Sequence, residues 1–395
     1  MERHRAPAAA STSARGRGLT PRVAVASMFL AFGVGLGAWS GASAAIVSRV
    51  GLNPSTYGAA LTLFTAAYLA AMSSAGAISR RFTARRTLVV SAAASAPALA
   101  ALLLVNDAVS YFALQTIYGF LAGTVDLTMN AAGARIERGL GRPVFAGMHG
   151  AASAGAAISA VAAGLIAVSA APWISCVVVV SALWIAAAAV EFAVPADHGE
   201  RVGAVAIDRR AFASGALAAL GLVIGACIAC ESAAIAWSGL ALRREAPELA
   251  AFAGVGVSFF AGCQALQRFN VDRLRARFAD RRLMVASLAV AALGFFLVAL
   301  EPGFGLSVVG FAIIGVGTGA VVPCGFALAA SEPGSAVAGL SAAAFFGSFV
   351  RLPAPFIAGA VADALSLSAA FALFALLLIA ALAATAAFVG PRGDR

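Results

Sequence analysis

The chain has 395 residues, of which 62% are hydrophobic and only 11% charged. A water-soluble domain carries about a quarter of its residues charged, so a soluble fold is excluded. The net charge of +10 comes from 27 basic residues, all of them arginine; they crowd the gaps between apolar runs, where they set membrane topology and do not signal nucleic-acid binding.

A helix needs roughly 20 apolar residues to cross a bilayer. In chain order the sequence offers twelve such runs, at 23–47, 57–79, 87–106, 108–132, 144–168, 173–194, 211–234, 249–269, 283–300, 304–329, 338–361 and 366–390. Residues 1–22 are rich in Arg and Ala without an apolar core, which predicts a disordered cytoplasmic tail. The first run is too long for a signal-peptide core and lacks a clear small-residue cleavage site, so it reads as a retained span. The third and fourth runs are separated only by Asn106-Asp107, and together they are too long for one helix. That predicts a tight hairpin.

The longest polar gap, residues 195–210, divides the runs into six and six. The predicted organisation is a bundle over 23–194, a cytoplasmic linker over 195–210, a bundle over 211–390 and a short cytoplasmic tail over 391–395. The expected class is an all-α polytopic membrane protein with 12 transmembrane helices in two six-helix pseudo-repeats. The abundant Ala and the 41 Gly allow helix backbones to approach closely in lipid.

Orientation follows from the arginines. With both termini cytoplasmic, the inner segments hold 23 of the 27, Arg268 counted among them. The outer segments hold Arg49, Arg243 and Arg244, and Arg351 alone falls well within a span, Arg268 being next to last in its run and counted with the loop that follows. This asymmetry is the positive-inside pattern. Duplication is visible as well: Arg81-Phe82-Thr83-Ala84-Arg85-Arg86 is matched by Arg277-Phe278-Ala279-Asp280-Arg281-Arg282, an offset of 196 residues, each following the second span of its half.

Some motifs carry no chemistry. Cys227 and Cys230 form a C-x-x-C, but no further Cys or His joins them at zinc-site spacing, so they read as packing residues and no metal is expected. The Gly310, Gly315, Gly317 and Gly319 series lies inside an apolar helix, where close packing explains it better than a nucleotide loop. Without lysine the chain cannot use a Walker lysine. No cofactor and no enzymatic activity are expected.

The stretch from Gly76 to Arg86 resembles the loop signature G-x-L-A-D-R-x-G-R-R of the major facilitator superfamily, with Gly76, Ile78, Arg81, Arg85 and Arg86 fitting. The family's Asp, which helps latch the two halves, is here Arg80. A narrower likeness covers nearly the whole chain. Asp126, Met129 and Asn130, then Glu137, Gly141-Arg142-Pro143, Met148-His149-Gly150 and Ser153 look like a bacterial inner-membrane subgroup of sugar-permease-like (fucose-permease-like) proteins. Glu231 with Trp237-Ser238 resembles the subgroup's seventh-helix stretch, and the run Asp272-Arg273 to Arg277-Phe278 resembles its G-D-R-L-x-x-R-F. On the first helix Trp39 remains, while the subgroup's Arg and Pro are Ala42 and Ala44, and the Asp before Trp237 is Ala236. By this likeness Gly76, Arg81, Arg85, Arg86, Asp272, Arg273 and Arg277 would form the conformational-switch loops.

Ionisable groups inside a bilayer cost several kcal/mol and need a reason, roughly 2.5–3.5 on insertion scales. Asp126 and Asn130 share a helix face, and Asp126 is either a proton carrier or the acceptor of structural hydrogen bonds from the second-span loop. Glu231, Ser232, Trp237 and Ser238 offer a carboxylate, hydroxyls and an aromatic plate to a sugar-like ligand; the alternative is an interfacial acid with Trp237 as a boundary anchor. Arg351 precedes two prolines, which implies a kink; it would bind an anionic cargo, pair with Glu231 or Asp126, or snorkel to the interface. His149 is a packing residue or a relay to Asp126. Glu191 reads as an interfacial charge.

The resemblance implies a secondary carrier working by alternating access, coupled to protons, for a small polar solute of the sugar type. Its expected setting is the bacterial inner membrane, with lipid and the solute as partners and a monomeric state. Two alternatives stay open: an efflux carrier for a drug or metabolite, and a membrane sensor that no longer transports.

Overall fold

The computed structural model describes residues 19–142, 144–169, 171–195, 209–333 and 335–388. Residues 1–18 of the expected N-terminal tail, most of the linker and the C-terminal tail lie outside these residues, and the N-terminal tail does not extend to residue 22, because Thr20 caps a helix that begins at Pro21. The described chain is helical, as its composition requires, because lipid offers backbone N–H and C=O groups no partner and a helix satisfies them internally.

The first half runs α1 (Pro21–Val50), α2 (Pro54–Arg81), α3 (Ala84–Leu104), α4 (Ala108–Leu140), α5 (Phe145–Ala167) and α6 (Trp173–Ala193). A four-residue helix, α7 (Arg209–Phe212), precedes α8 (Gly215–Glu245), a 3-10 turn at Pro247–Phe252, α9 (Val255–Arg275) and α10 (Asp280–Ala299). Two spans are then broken. The tenth is α11 (Phe304–Thr318) with α12 (Val321–Ser331), and the eleventh is α13 (Ala336–Arg351) with α14 (Ala354–Ala364). The break after Arg351 falls at Pro353, as the kink there predicts. The last helix is α15 (Leu367–Phe388).

Helix starts follow ordinary capping chemistry. Asn53 accepts the Thr56 N–H at 2.8 Å ahead of Pro54, and Asp107 accepts the Ser110 N–H at 2.8 Å. These bonds from Ser110 hold the Asp107 carboxyl below its ordinary range. The tight hairpin expected at Asn106-Asp107 is therefore present, with Asp107 opening α4.

Several sequence boundaries shift. The seventh span does not end at residue 234; α8 continues unbroken to Glu245, so Glu231 lies mid-helix. Trp237 and Ser238 are 2% and 0% exposed, which rules out a membrane-boundary anchor. Polar residues in that stretch imitate an interface because they face the protein interior. The eighth span begins later and ends later than 249–269, since Pro247 starts a 3-10 turn before α9. In the fourth span, α4 runs past residue 132 to Leu140 and stops at Gly141, whose φ of 61° is left-handed.

Ten of the described helical stretches are long and apolar enough to cross a membrane. Although α2 and α9 match them in length, both are more polar; α9 carries Gln264, Gln267, Arg268, Asn270, Asp272 and Arg273. Packing gives the reason. In the first half α1 packs on α5 and α6, α2 on α4, and α3 on α4 and α6; the second half repeats this with α8 on α13 and α15, α9 on α11, and α10 on α11 and α15. Between the halves, α2 meets α14 and α5 meets α9. The two polar spans thus face protein as well as lipid, and twelve passes accord with the arrangement.

The repeat extends to side chains. Arg85, in the first turn of α3, donates to the Glu191 and Val194 carbonyls at 3.1 Å and pairs with the Glu191 carboxylate at 3.2 Å. Arg281, in the first turn of α10, donates to the Thr385 and Ala386 carbonyls at the end of α15. Arginine at helix C-terminal carbonyls satisfies groups the helix leaves orphaned.

On the face carrying Gly51 the halves are pinned together. Ser55 donates to Asp363 at 2.6 Å, and Arg243 donates to the Ala44 carbonyl at 2.9 Å and to Ser48 at 3.2 Å. Gly58 and Gly359 make the crossing possible: a Cβ on Gly58 would lie 2.4 Å from the Pro355 carbonyl oxygen, and one on Gly359 2.4 Å from that of Pro54. Gly58→Leu is therefore expected to part α2 from α14 at this face. A Ser55→Cys/Asp363→Cys pair should cross-link with a short bifunctional reagent in the parent and lose most of that yield when Gly58→Leu is added. Undiminished cross-linking would contradict the close crossing.

Candidate functional site

A cavity of about 930 Å3, its open mouth included, lies between the halves. Its walls come from α1 (Phe32, Leu36, Trp39), α2 (Leu61, Phe64, Thr65, Tyr68), α4 (Tyr118, Ala122), α8 (Ala229, Ser232, Ala233, Ile235, Ala236, Trp237) and the broken eleventh span (Arg351, Pro355), with Phe374 of α15 closing it. The wall is mostly aromatic and aliphatic. Trp39 lies parallel to Phe64, with centroids 6.2 Å apart, and Trp237 meets Tyr57 edge-on at 4.9 Å.

Behind one wall stands a linked polar group. The Tyr68 hydroxyl donates to Asp126 Oδ2 at 2.5 Å, and Asn130 Nδ2 donates to Asp126 Oδ1 at 2.9 Å. The Arg351 guanidinium lies 4.9 Å from the centre of the Tyr68 ring, a cation–π contact. Since Arg351 belongs to the second half and Tyr68 to the first, this contact joins the halves beside the cavity. The Arg351 Nε–H is buried without a hydrogen-bond partner. Such an orphan donor costs about 1–3 kcal/mol.

A second polar group belongs to the other half. Glu231 pairs with Arg268 at 3.4 Å, and the Gln264 side chain lies close by. Gln264 Nε2 also reaches the Thr318 hydroxyl at 3.1 Å. The Cys227 thiol donates weakly to Glu231 at 3.9 Å. Cys227 and Cys230 are free and fully buried, in keeping with a packing role.

Of the residues singled out from sequence, the structure brings Trp39, Trp237 and Arg351 to the cavity wall, with Asp126 and Asn130 just behind Tyr68. Arg351 does not snorkel to the interface. It reaches Asp126 through Tyr68, and its charge also bears on Glu231, whose direct partner is Arg268. His149 is packed edge-on between Phe29 at 5.0 Å and Phe145 at 4.7 Å; among the described residues no hydrogen bond joins it to Asp126.

The loop residues are dispersed. Gly76 lies within α2, Arg85 caps α6, and Arg81, Arg86, Asp272, Arg273 and Arg277 are exposed. In the second half the built contact is Arg275 with Asp280, at 2.7 and 3.1 Å.

Sequence reasoning missed Tyr68 and misplaced Arg268. Tyr68 carries no charge and so raised no flag. Arg268, counted among the cytoplasmic arginines, is the second arginine inside a span. The Gln264 four residues before it, together with the weak hydropathy of its helix, was the available signal.

A cavity walled by helices of two pseudo-symmetric halves and backed by paired charges is the arrangement of a membrane carrier. The sequence model of the Major Facilitator Superfamily matches residues 23–353, and the chain belongs to that family. It is a multi-pass membrane transporter and not an enzyme. An uncharacterised MFS-type transporter of Yersinia pestis is 24% identical over 373 residues, covering 92% of this chain and 94% of that one. Among solved structures, the nucleoside transporter NupG superposes with a TM-score of 0.78 at 13% identity, covering 94% of this chain and 100% of that one. The E. coli fucose:proton symporter FucP superposes with a TM-score of 0.56 at 14% identity, covering 93% and 98%. At these identities the superpositions speak for the fold alone.

The Glu231–Arg268 pair is only partly exposed, at 14% and 32%, so removing one partner leaves a charge poorly solvated. Glu231→Gln is expected to lower stability by about 1–3 kcal/mol. Adding Arg268→Gln should recover part of that loss. A thermal double-mutant cycle checks it, and strictly additive losses would mean the two side chains do not interact.

Proposed function

We propose that this transporter is a proton-coupled secondary carrier. It moves a small ring-bearing solute across the bacterial inner membrane by alternating access, with both termini cytoplasmic. The observation that carries the reading is the Asp126–Tyr68–Arg351 series, which connects a membrane carboxylate to the cavity wall and to the opposite half. A proton on Asp126 changes what Tyr68 and Asn130 can bond to and removes the negative charge that faces Arg351. The restraint between the halves then loosens, and the bundles rock about the cavity. The arginine asymmetry supports the orientation. With that orientation, the face pinned by Ser55–Asp363 and Arg243 is the outer one.

The mostly apolar wall favours a second reading for direction, export of an amphipathic metabolite or drug by the same cycle. In either direction, Asp126→Asn in proteoliposomes is expected to abolish accumulation driven by a proton gradient while counterflow exchange persists. Accumulation at the parent level would remove Asp126 from the coupling step.

A further inference from the structure

Resting on the carrier reading above, we infer that the cargo is an organic anion: a carboxylate or comparable acid carried on a flat, largely apolar body. The cavity wall holds one cation, Arg351, and among the described lining residues no carboxylate. Asp126 and Glu231 stand behind the wall, already engaged by Tyr68 and Arg268. A cationic cargo meets no free counter-charge there.

Three of the four hydroxyl protons on the wall are already committed, and only that of Tyr118 is not. Thr65 donates to the Leu61 carbonyl at 2.9 Å, Ser232 to the Ile228 carbonyl at 2.9 Å, and Tyr68 to Asp126. A polyol, which needs many directional partners, is poorly served. Besides the Tyr118 hydroxyl, two buried donors among the lining residues are left over. The Nε–H of Arg351 is buried without an acceptor, and so is the indole N–H of Trp39, a residue only 6% exposed. Both wait for an acceptor, and an acid supplies one to a guanidinium in its strongest form.

These two donors stand at the ends of one run of rings. Trp39 stacks on Phe64, Phe64 meets Tyr68 at 6.1 Å, and Arg351 covers Tyr68. A flat body lies along that run with its acid on Arg351, and an acceptor atom farther along reaches Trp39. Charge balance agrees. Two arginines and two carboxylates surround the cavity, and the titratable and charged groups bearing on Asp126 are Tyr68 and Arg351. An entering anion adds one negative charge, and a proton on Asp126 cancels it.

The test uses the full chain in detergent near neutral pH, with equilibrium binding and thermal shift. The probes are indole-3-acetate, its neutral amide indole-3-acetamide, the amine tryptamine, and fucose. The acid should bind at least about tenfold more tightly than the amide, with no shift from the amine or the sugar. Arg351→Gln should bring the acid down to the level of the amide. Trp39→Phe, which keeps the ring stack, should weaken the acid severalfold and guards against a misfolded Arg351 variant. Equal binding of acid and amide overturns the inference, as does binding of the amine or sugar instead, discrimination that survives Arg351→Gln, or no binding by any of the four. Counterflow of the bound probe separates the two readings. An acid that binds but does not move refutes the carrier cycle and leaves the anion site standing. An amine or sugar that binds and moves keeps the carrier and removes the anion site.

Discussion

Charge inside a low-dielectric slab has to be solvated by the protein itself, and this constraint organises the centre of the molecule. Arg351, Arg268, Asp126 and Glu231 would each be penalised in lipid. Each is placed where neighbouring spans supply a partner: a ring face for Arg351, a carboxylate for Arg268, and a phenol with an amide for Asp126. Of the spans that carry or meet these groups, α2, α4, α8 and α13 also line the cavity, together with α1, while α9 stands behind the wall. The remaining spans are free to be uniformly apolar.

The same constraint explains why two spans look weak in the sequence. A helix facing lipid all round must be apolar all round. A helix seated between two halves can carry Gln264 and Arg268, or a run of Ser and Thr. The glycines follow a parallel logic, since helices without a hydrophobic force between them associate through close contact of small residues. Gly317 illustrates it on the tenth span, where an added Cβ would lie 2.3 Å from the Ala291 backbone nitrogen. The Gly series there is a packing surface.

Fold class, the hairpin at Asn106-Asp107, the kink after Arg351 and the repeat were legible because each depends on local chemistry: apolar run length, a capping Asp, a proline, or a basic motif. What was not legible depends on the third dimension. The end of α8 was misjudged because the residues from Glu231 to Ser238 look like an interface until they are seen to face inward. Asp126 was recognisable as a buried acid, but its partner Tyr68 lies 58 positions away on another helix, and no spacing rule connects them. Arg268 was hidden among cytoplasmic arginines, because counting arginines does not mark the depth at which a helix leaves the bilayer.

The arginine clamps at the ends of α6 and α15 bear on biogenesis. Arg85 ties the third span to the last turn of the sixth using only first-half residues, and Arg281 does the same for the ninth span and the twelfth. Each ring of six can therefore lock its final member without help from the other. A nascent polypeptide leaving the ribosome can complete one closed assembly before the next begins to insert.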